Sequence, residues 1–271
     1  MVKELNGKEL AGFIKERQAK QVRSLVGQGV QPKLAIVQTI DNPVIDTYVR
    51  MKKRYGEDIG IAVDVQKIDQ AKLSQTIEAN NKDDSIHAMI VQLPLADNTN
   101  VDEYLEAVAP EKDVDGLGPD PEYEPATATA IIWLMAGYNV DLQGKKIAVI
   151  GSRGRLVGAP LIKMLESAGH TVVPINSKTE NPAEKVHECE VVITATGKAR
   201  LVTSDWIAPG AVVVDAGTAG EGGKVVGDVD DSVRERNDLG AISPLKGGVG
   251  PLTVCALFEN TIQAAQKALQ K

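Results

Sequence analysis

Twice along this chain, short apolar runs of strand length alternate with segments of helical period, and that alternation limits the fold more than any other feature. In the first half KLAIVQT (33–39), IAVDVQKI (61–68) and HAMIVQLPL (87–95) read as strands, the last stopped by Pro94, which has no N–H for a ladder. Residues 8–28, 44–59 and 71–81 place apolar side chains every three to four positions and read as helices. A helix near 126–138 leads into the second half, where strands at 146–150, 171–176, 190–194 and 211–215 are interleaved with helices at 156–168 and near 182–187. A final helix covers 252–270. Strands joined through helices run parallel and need cover on both faces, so the expected class is α/β.

A length of 271 residues suits two domains. The segment DVDGLGPDPEYEP (113–125), with three prolines and two glycines, reads as the approach to their boundary or as a loop over a site. The last helix lies far from the start of any unit of its own and is expected to pack back on the first domain.

Composition excludes several classes. Thirty basic against 37 acidic residues give a net charge of −7, which argues against nucleic acid as a partner. No apolar run approaches the roughly 20 residues that span a bilayer. The start, MVKELNGKELAGFIKERQAK, lacks the apolar core of a signal peptide, so the expected compartment is the cytoplasm. Cys189 and Cys255 sit in apolar segments as small buried hydrophobes, and with His87, His170 and His187 they share no ligand spacing, so no metal site is expected.

KKIAVIGSRGRLVGAPLIKML (145–165) is a strand that turns through Gly151, Gly154 and Gly158 into a helix. Such a turn lets backbone amides and the positive end of a helix approach a phosphate. The spacing is not G-x-G-x-x-G, and glycine turns also close ordinary strand-to-helix connections. The next strand bears on this. NAD-preferring folds place an acidic residue about 20 positions on, whereas this chain has Ser177, Lys178 and Thr179. With Arg153 and Arg155 in the turn, cations and hydroxyls are available to a 2′-phosphate, which points to NADP; the alternative is a pair of solvated surface arginines. Elsewhere, Tyr48 and Lys52 stand at i and i+4 and share a helix face. That face either opens on a cleft, where a phenol can stack on a ring beside a working amine, or is a core tyrosine next to a solvated lysine.

In order along the chain come DNP (41–43), the Y-x-x-x-K helix, QLPL (92–95), DVDGL (113–117), RGRLVGAP (153–160), SKT (177–179), VVGDV (225–229) and GGVGPLT (247–253). This set closely resembles the bifunctional methylenetetrahydrofolate dehydrogenase/methenyltetrahydrofolate cyclohydrolase family, nearly end to end. The resemblance implies a folate-binding catalytic domain over 1–128, completed by the helix 255–271, and a Rossmann-type NADP-binding domain over 129–254. It implies that Lys52 is catalytic, that Tyr48 stacks on the folate, that Gln92 bonds to and tunes the lysine, and that Asp115 anchors the pterin. Asp113 is the natural confusion, and Asp115 is preferred because it directly precedes Gly116, which permits close approach. Gly248 and Pro251 are implied to line folate and nicotinamide, Arg153 and Ser177 to meet the 2′-phosphate, and Gly151, Ser152, Gly154, Arg155, Thr196 and Gly197 to complete the cofactor site.

The implied reactions are NADP-dependent oxidation of 5,10-methylenetetrahydrofolate to the methenyl cation, then hydrolysis to 10-formyltetrahydrofolate, in a homodimer serving one-carbon metabolism and purine biosynthesis. A lysine that moves protons near neutral pH needs a lowered pKa, which burial and a cationic substrate favour. Several positions depart from the family pattern: Ile40 replaces a glycine, Ile45 a serine, and Lys246 a proline. Pro125, Ala126, Thr127 and Ala128 stand for Pro-Cys-Thr-Pro, and Ser152 stands for the first glycine of the nucleotide turn. The alternatives are a dehydrogenase with weak cyclohydrolase activity or a degenerate paralogue that binds folate or NADP without turnover. A Rossmann dehydrogenase of small acids leaves DVDGL and GGVGP without a purpose.

Overall fold

The computed structural model describes residues 2–221 and 224–269. In chain order the first elements are β1 (Lys3–Glu4), α1 (Gly7–Gly27), β2 (Lys33–Gln38), α2 (Pro43–Ile59), β3 (Ala62–Lys67), α3 (Leu73–Lys82), β4 (Ala88–Val91), α4 (Val101–Glu106) and α5 (Ala126–Gly137). There follow β5 (Lys146–Ile150), α6 (Gly158–Ser167), β6 (Thr171–Ile175), α7 (Pro182–His187), β7 (Val191–Thr194) and β8 (Val212–Asp215). The last are β9 (Ala219–Glu221), β10 (Lys224–Val226), α8 (Asp231–Arg234), β11 (Ala241–Ile242) and α9 (Val249–Ala268). The chain divides into two compact α/β units, Gly12–Ala126 with Val254–Lys271, and Met1–Ala11 with Thr127–Thr253.

In the first unit the sheet order is β3-β2-β4, all parallel. The central strand β2 is buried from Leu34 through Gln38, as expected for a parallel strand covered on both faces. Ala35, Val37, Met89 and Val91 pack there with Leu73 and Ile77 of α3. Helix α2 approaches β3 closely at Gly56, where an added Cβ would lie 2.4 Å from Val63 Cγ2 and 3.0 Å from the Phe258 ring. Phe258, on α9, is fully buried, and Asn260 Nδ2 donates to the carbonyls of Val114 and Glu124, both at 2.9 Å. The last helix therefore fastens the 113–125 segment, which contains no helix or strand of its own.

The second unit is built on a six-stranded parallel sheet of order β1-β11-β8-β7-β5-β6, with β9 and β10 forming a separate antiparallel ribbon. Strand order reverses at β5: β6 lies on one side, β7 and β8 on the other. The first eleven residues belong here and not with the 1–128 division read from the sequence, because Lys3 and Glu4 pair with Ala241 and Ile242 and Leu5 N donates to Ile242 O at 2.9 Å.

The strand expected over 87–95 is shorter than its apolar run. Its ladder ends at Val91, after which Thr39 Oγ1 and Asn98 Oδ1 take the Ala96 and Leu95 amides in a turn. Among the described residues no helix is long and apolar enough to cross a membrane. Cys189 and Cys255 are buried and form no disulfide among the described residues.

Candidate active site

The side chains expected to carry chemistry fall into two groups, one in each unit. In the first unit, α2 turns Ile45, Val49, Gly56 and Ile59 inward. Lys52 lies half-buried on the same face, with Tyr48 38% exposed one turn earlier. Gln92 follows β4 directly, and its amide N–H still donates to Val37 O at 2.8 Å, so the side chain leaves the carboxyl end of the sheet in a fixed direction. Lys52 Nζ donates to Gln92 Oε1 at 2.9 Å, while Gln92 Nε2 donates to Leu93 O at 2.8 Å. The glutamine is thereby locked with its oxygen toward the amine. Burial pushes the Lys52 pKa below the ordinary lysine value, and the Asp115 carboxylate opposes part of that shift. Burial likewise raises Asp115, with Lys52 opposing.

The two aspartates of DVDGL do different work. Asp113 is 5% exposed, and its carboxylate accepts the amides of Gly116 (3.1 Å), Leu117 (2.9 Å) and Gly118 (2.7 Å). Burial outweighs those bonds and, with the Asp115 charge nearby, pushes Asp113 up to about 6. Asp115 accepts no hydrogen bond from the described residues, so its oxygens remain available beside Lys52. Gly116 has φ +67°, and a Cβ there would lie 2.6 Å from Tyr123 O. The glycine therefore serves the fold of the 113–125 loop, and the orientation of Asp115 follows from it.

One support was not foreseen from sequence. Asp46, in the first turn of α2, accepts Gln38 Nε2 at 2.8 Å and Lys67 Nζ at 3.0 Å, and Lys67 also reaches Asp41 at 2.9 Å. These contacts pin the start of the helix that presents Tyr48 and Lys52. The only local signal was an acid in a helix's first turn. Of the departures, Ile45, Ala126 and Ala128 are buried apolar side chains, Ile40 is half-buried, and Lys246 is exposed.

In the second unit the turn after β5 is closed by glycines. A Cβ on Gly151 would stand 2.4 Å from Ala195 O, and one on Gly158 would stand 2.0 Å from Gly151 O. The amides of Gly151 and Ser152 are spent on Ile175 O, at 2.9 and 3.0 Å, and that of Gly154 on Gly151 O. The first two hold the turn to the end of β6, the third closes the turn on itself, and none of the three is free for a phosphate. What faces outward is the start of α6, whose cap residue Val157 makes no side-chain hydrogen bond, together with exposed Arg153, Ser177 and Lys178 and half-buried Arg155. In that first turn the Ala159 amide is taken by Gly154 O at 2.9 Å and Pro160 has no N–H, so it is the flanking cations and the positive end of α6, with no carboxylate at 176–179, that fit a dinucleotide carrying a 2′-phosphate.

Thr196 and exposed Gly197 follow β7. Gly248 is buried and half-buried Pro251 lies in the first turn of α9, where its missing N–H costs nothing. The 247–248 turn rests on the start of α1: Lys8 N donates to Gly247 O at 2.8 Å, and a Cβ on Gly7 would fall 1.9 Å from Gly248 O.

Residues 5–115 match the catalytic-domain model of the tetrahydrofolate dehydrogenase/cyclohydrolase family, and residues 125–269 match its NAD(P)-binding domain. The bifunctional protein FolD of Bordetella avium is 38% identical over 279 residues, covering 98% of each chain, and that of Bacillus subtilis is 35% identical over 280 residues at the same coverage. The bifunctional dehydrogenase/cyclohydrolase of Campylobacter jejuni superposes with a TM-score of 0.93 at 35% identity, covering 98% of this chain and 99% of that one. A Trypanosoma brucei methylenetetrahydrofolate dehydrogenase-cyclohydrolase, solved with NADP cofactor and inhibitor, gives 0.92 at 29% identity over 100% of this chain and 99% of that one.

Proposed function

The chain belongs to the tetrahydrofolate dehydrogenase/cyclohydrolase family, and on that premise we propose how its residues divide two reactions. It is a bifunctional enzyme: it oxidises 5,10-methylenetetrahydrofolate to 5,10-methenyltetrahydrofolate with NADP and hydrolyses that product to 10-formyltetrahydrofolate. The unit containing Lys52 holds the folate, and the unit built on β5 holds NADP.

The observation that carries this assignment is the half-buried amine of Lys52, fixed 2.9 Å from Gln92 Oε1, with its pKa lowered. Hydrolysis requires a group that takes a proton from the water adding to the methenyl carbon and returns one to the ring nitrogen as the carbon–nitrogen bond opens. A lysine does this only when its neutral form is accessible. Burial makes it so here, and Gln92 spends one direction of the amine so that the others face the substrate. Asp115, unspent by the protein, pairs with the amino-pyrimidine edge of the pterin through charge-assisted hydrogen bonds. Tyr48 offers its exposed ring to the folate.

NADP, when bound, supplies the hydride acceptor. Arg153 and Ser177 would hold its 2′-phosphate, with Arg155 beside them, and the positive end of α6 would face the pyrophosphate. Gly151, Ser152 and Gly154 shape the turn, while Thr196, Gly197, Gly248 and Pro251 bound the nicotinamide side. The family resemblance supports a cytoplasmic homodimer that feeds purine biosynthesis.

The test follows absorbance as the purified protein meets 5,10-methylenetetrahydrofolate with NADP and, separately, with NAD, in the wild type and in Lys52→Ala. Reduction with NADP preferred, and loss of methenyl hydrolysis in the variant, is expected. No reduction with either cofactor by a folded protein would refute the dehydrogenase, and undiminished hydrolysis without Lys52 would refute its role.

A further inference from the structure

Behind the carboxyl ends of β7 and β8 lie two buried carboxylates that take no part in the chemistry above. Asp228 is 0% exposed, and its oxygens accept the backbone amides of Thr196 at 2.6 Å and Lys198 at 3.0 Å. Asp215, 9% exposed, accepts the Asp228 amide at 3.1 Å, the Val229 amide at 3.2 Å, Thr194 Oγ1 at 3.2 Å and Arg234 Nη2 at 2.6 Å. Two glycines make room for them. A Cβ on Gly217 would fall 2.0 Å from the Asp228 carboxylate, and one on Gly227 would fall 2.0 Å from Asp215 Oδ2.

The arrangement is asymmetric. Asp215 has a guanidinium partner and ties β7, β8 and the 228–229 backbone together. Asp228 has no ion-pair partner among the described residues and is held by the two loop amides together with the Thr196 side chain. Burying a carboxylate without a cation is costly, and burial does raise its pKa. A group placed there at that cost sets the course of the 195–198 backbone.

That backbone matters because of the sheet. A dinucleotide lies across the point where strand order reverses, at the carboxyl ends of the strands. With the phosphate turn after β5 and Ser177 after β6, the adenosine half lies on the β6 side, so the nicotinamide half lies over β7 and β8. We propose that Asp228, braced by Asp215, is a positioning residue that preorganises the 195–198 loop for the nicotinamide half of NADP. Because the peptide is planar and trans, an N–H of Lys198 turned toward Asp228 sends the Gly197 carbonyl the opposite way. Gly197 is exposed, its φ is +67°, and no described residue bonds its carbonyl. The loop thus presents an acceptor where a carboxamide can donate.

The inference rests on the NADP-dependent reading, so wild-type protein must first show both activities; their absence would fail that reading and leave Asp228 out of account. In Asp228→Asn the side chain keeps its size, but one of the two loop amides now faces an NH₂ group. The KM for NADP should rise about tenfold, with dehydrogenase kcat falling as well, as expected for one backbone donor left unmatched. Hydrolysis of added methenyltetrahydrofolate, which needs no NADP and rests on Lys52, should keep most of its rate. An unchanged KM for NADP in a folded variant, or parallel loss of both activities with a lowered melting temperature, would overturn the proposal. Hydrogen exchange on the wild type decides the matter even if the variant does not fold. The Thr196 and Lys198 amides should be protected before NADP is added, and protection that arises only with NADP would show a loop the carboxylate does not preorganise.

Discussion

Replacing Asp113 by asparagine separates the two carboxylates of DVDGL by what each does. The Asp113 carboxyl titrates at about 6, against 3.8 for a free aspartate, chiefly because it is buried. That difference of about 2 units corresponds to about 3 kcal/mol. The folded chain binds this proton more tightly than the unfolded chain, so the ionised group opposes folding at pH 7. Its cost fades as pH falls through about 6 toward 3.8. Asparagine carries no such proton. Its oxygen can still serve either Gly116 or the Leu117–Gly118 pair, leaving the other side against its NH₂. Urea unfolding of both proteins between pH 4 and 7 should show their stability difference moving by about 3 kcal/mol in the variant's favour as pH rises. Folate KM should stay within about twofold, because both Asp113 oxygens are spent on backbone amides. A pH-independent difference, or one of opposite slope, would refute the claim that burial outweighs the three amide bonds. A large rise in folate KM would refute the division of labour between the two aspartates.

Asp115→Asn should raise folate KM about tenfold or more, the loss of one charge-assisted pair. It should also move the acid limb of the hydrolysis pH profile to lower pH, since Asp115 now raises the Lys52 pKa; a profile that does not move would show the two groups uncoupled. In the wild type that limb should have its midpoint below the ordinary lysine value, and Lys52→Arg, charged at every working pH, should abolish hydrolysis while the fold persists by circular dichroism. Gly7→Ala drives a methyl into Gly248 O and should cost about 1 to 3 kcal/mol of stability in thermal melts. It should slow the dehydrogenase through the displaced 247–248 turn, and an unaltered rate and melting temperature would mean that turn does not depend on the start of α1.

Elements whose signal is local were legible. The Tyr48–Lys52 helix, the strand and turn at 146–158 and the 113–125 loop all emerge from spacing within one or two turns of chain. The strand does not run on to Pro94 as expected: its ladder ends at Val91, because Thr39 and Asn98 draw the following amides into a turn. What escaped notice depends on partners far along the chain. A two-residue strand such as β1 has no periodicity, and it exists because residues 241–242 offer a free edge. Gly151 and Ser152 look like phosphate cradles in sequence, yet their amides are claimed by Ile175. Only the strand that the turn packs against could have revealed this.

The same contrast explains why Asp113 and Asp115 were hard to separate. Both are acids in a glycine-rich loop, and their spacing does not distinguish them. Three amides at 116–118 take up Asp113 only once Gly116 adopts φ +67° and the Tyr123 carbonyl closes over it. That closure is held in turn by Asn260, from α9, bonding to Val114 and Glu124. A residue near the end of the chain thus makes one aspartate structural and leaves its neighbour free for a ligand. Truncating Asn260 to alanine should therefore loosen the loop and raise folate KM without touching Lys52 or Gln92. Unchanged folate KM in a folded Asn260→Ala protein would mean the loop closes without help from α9.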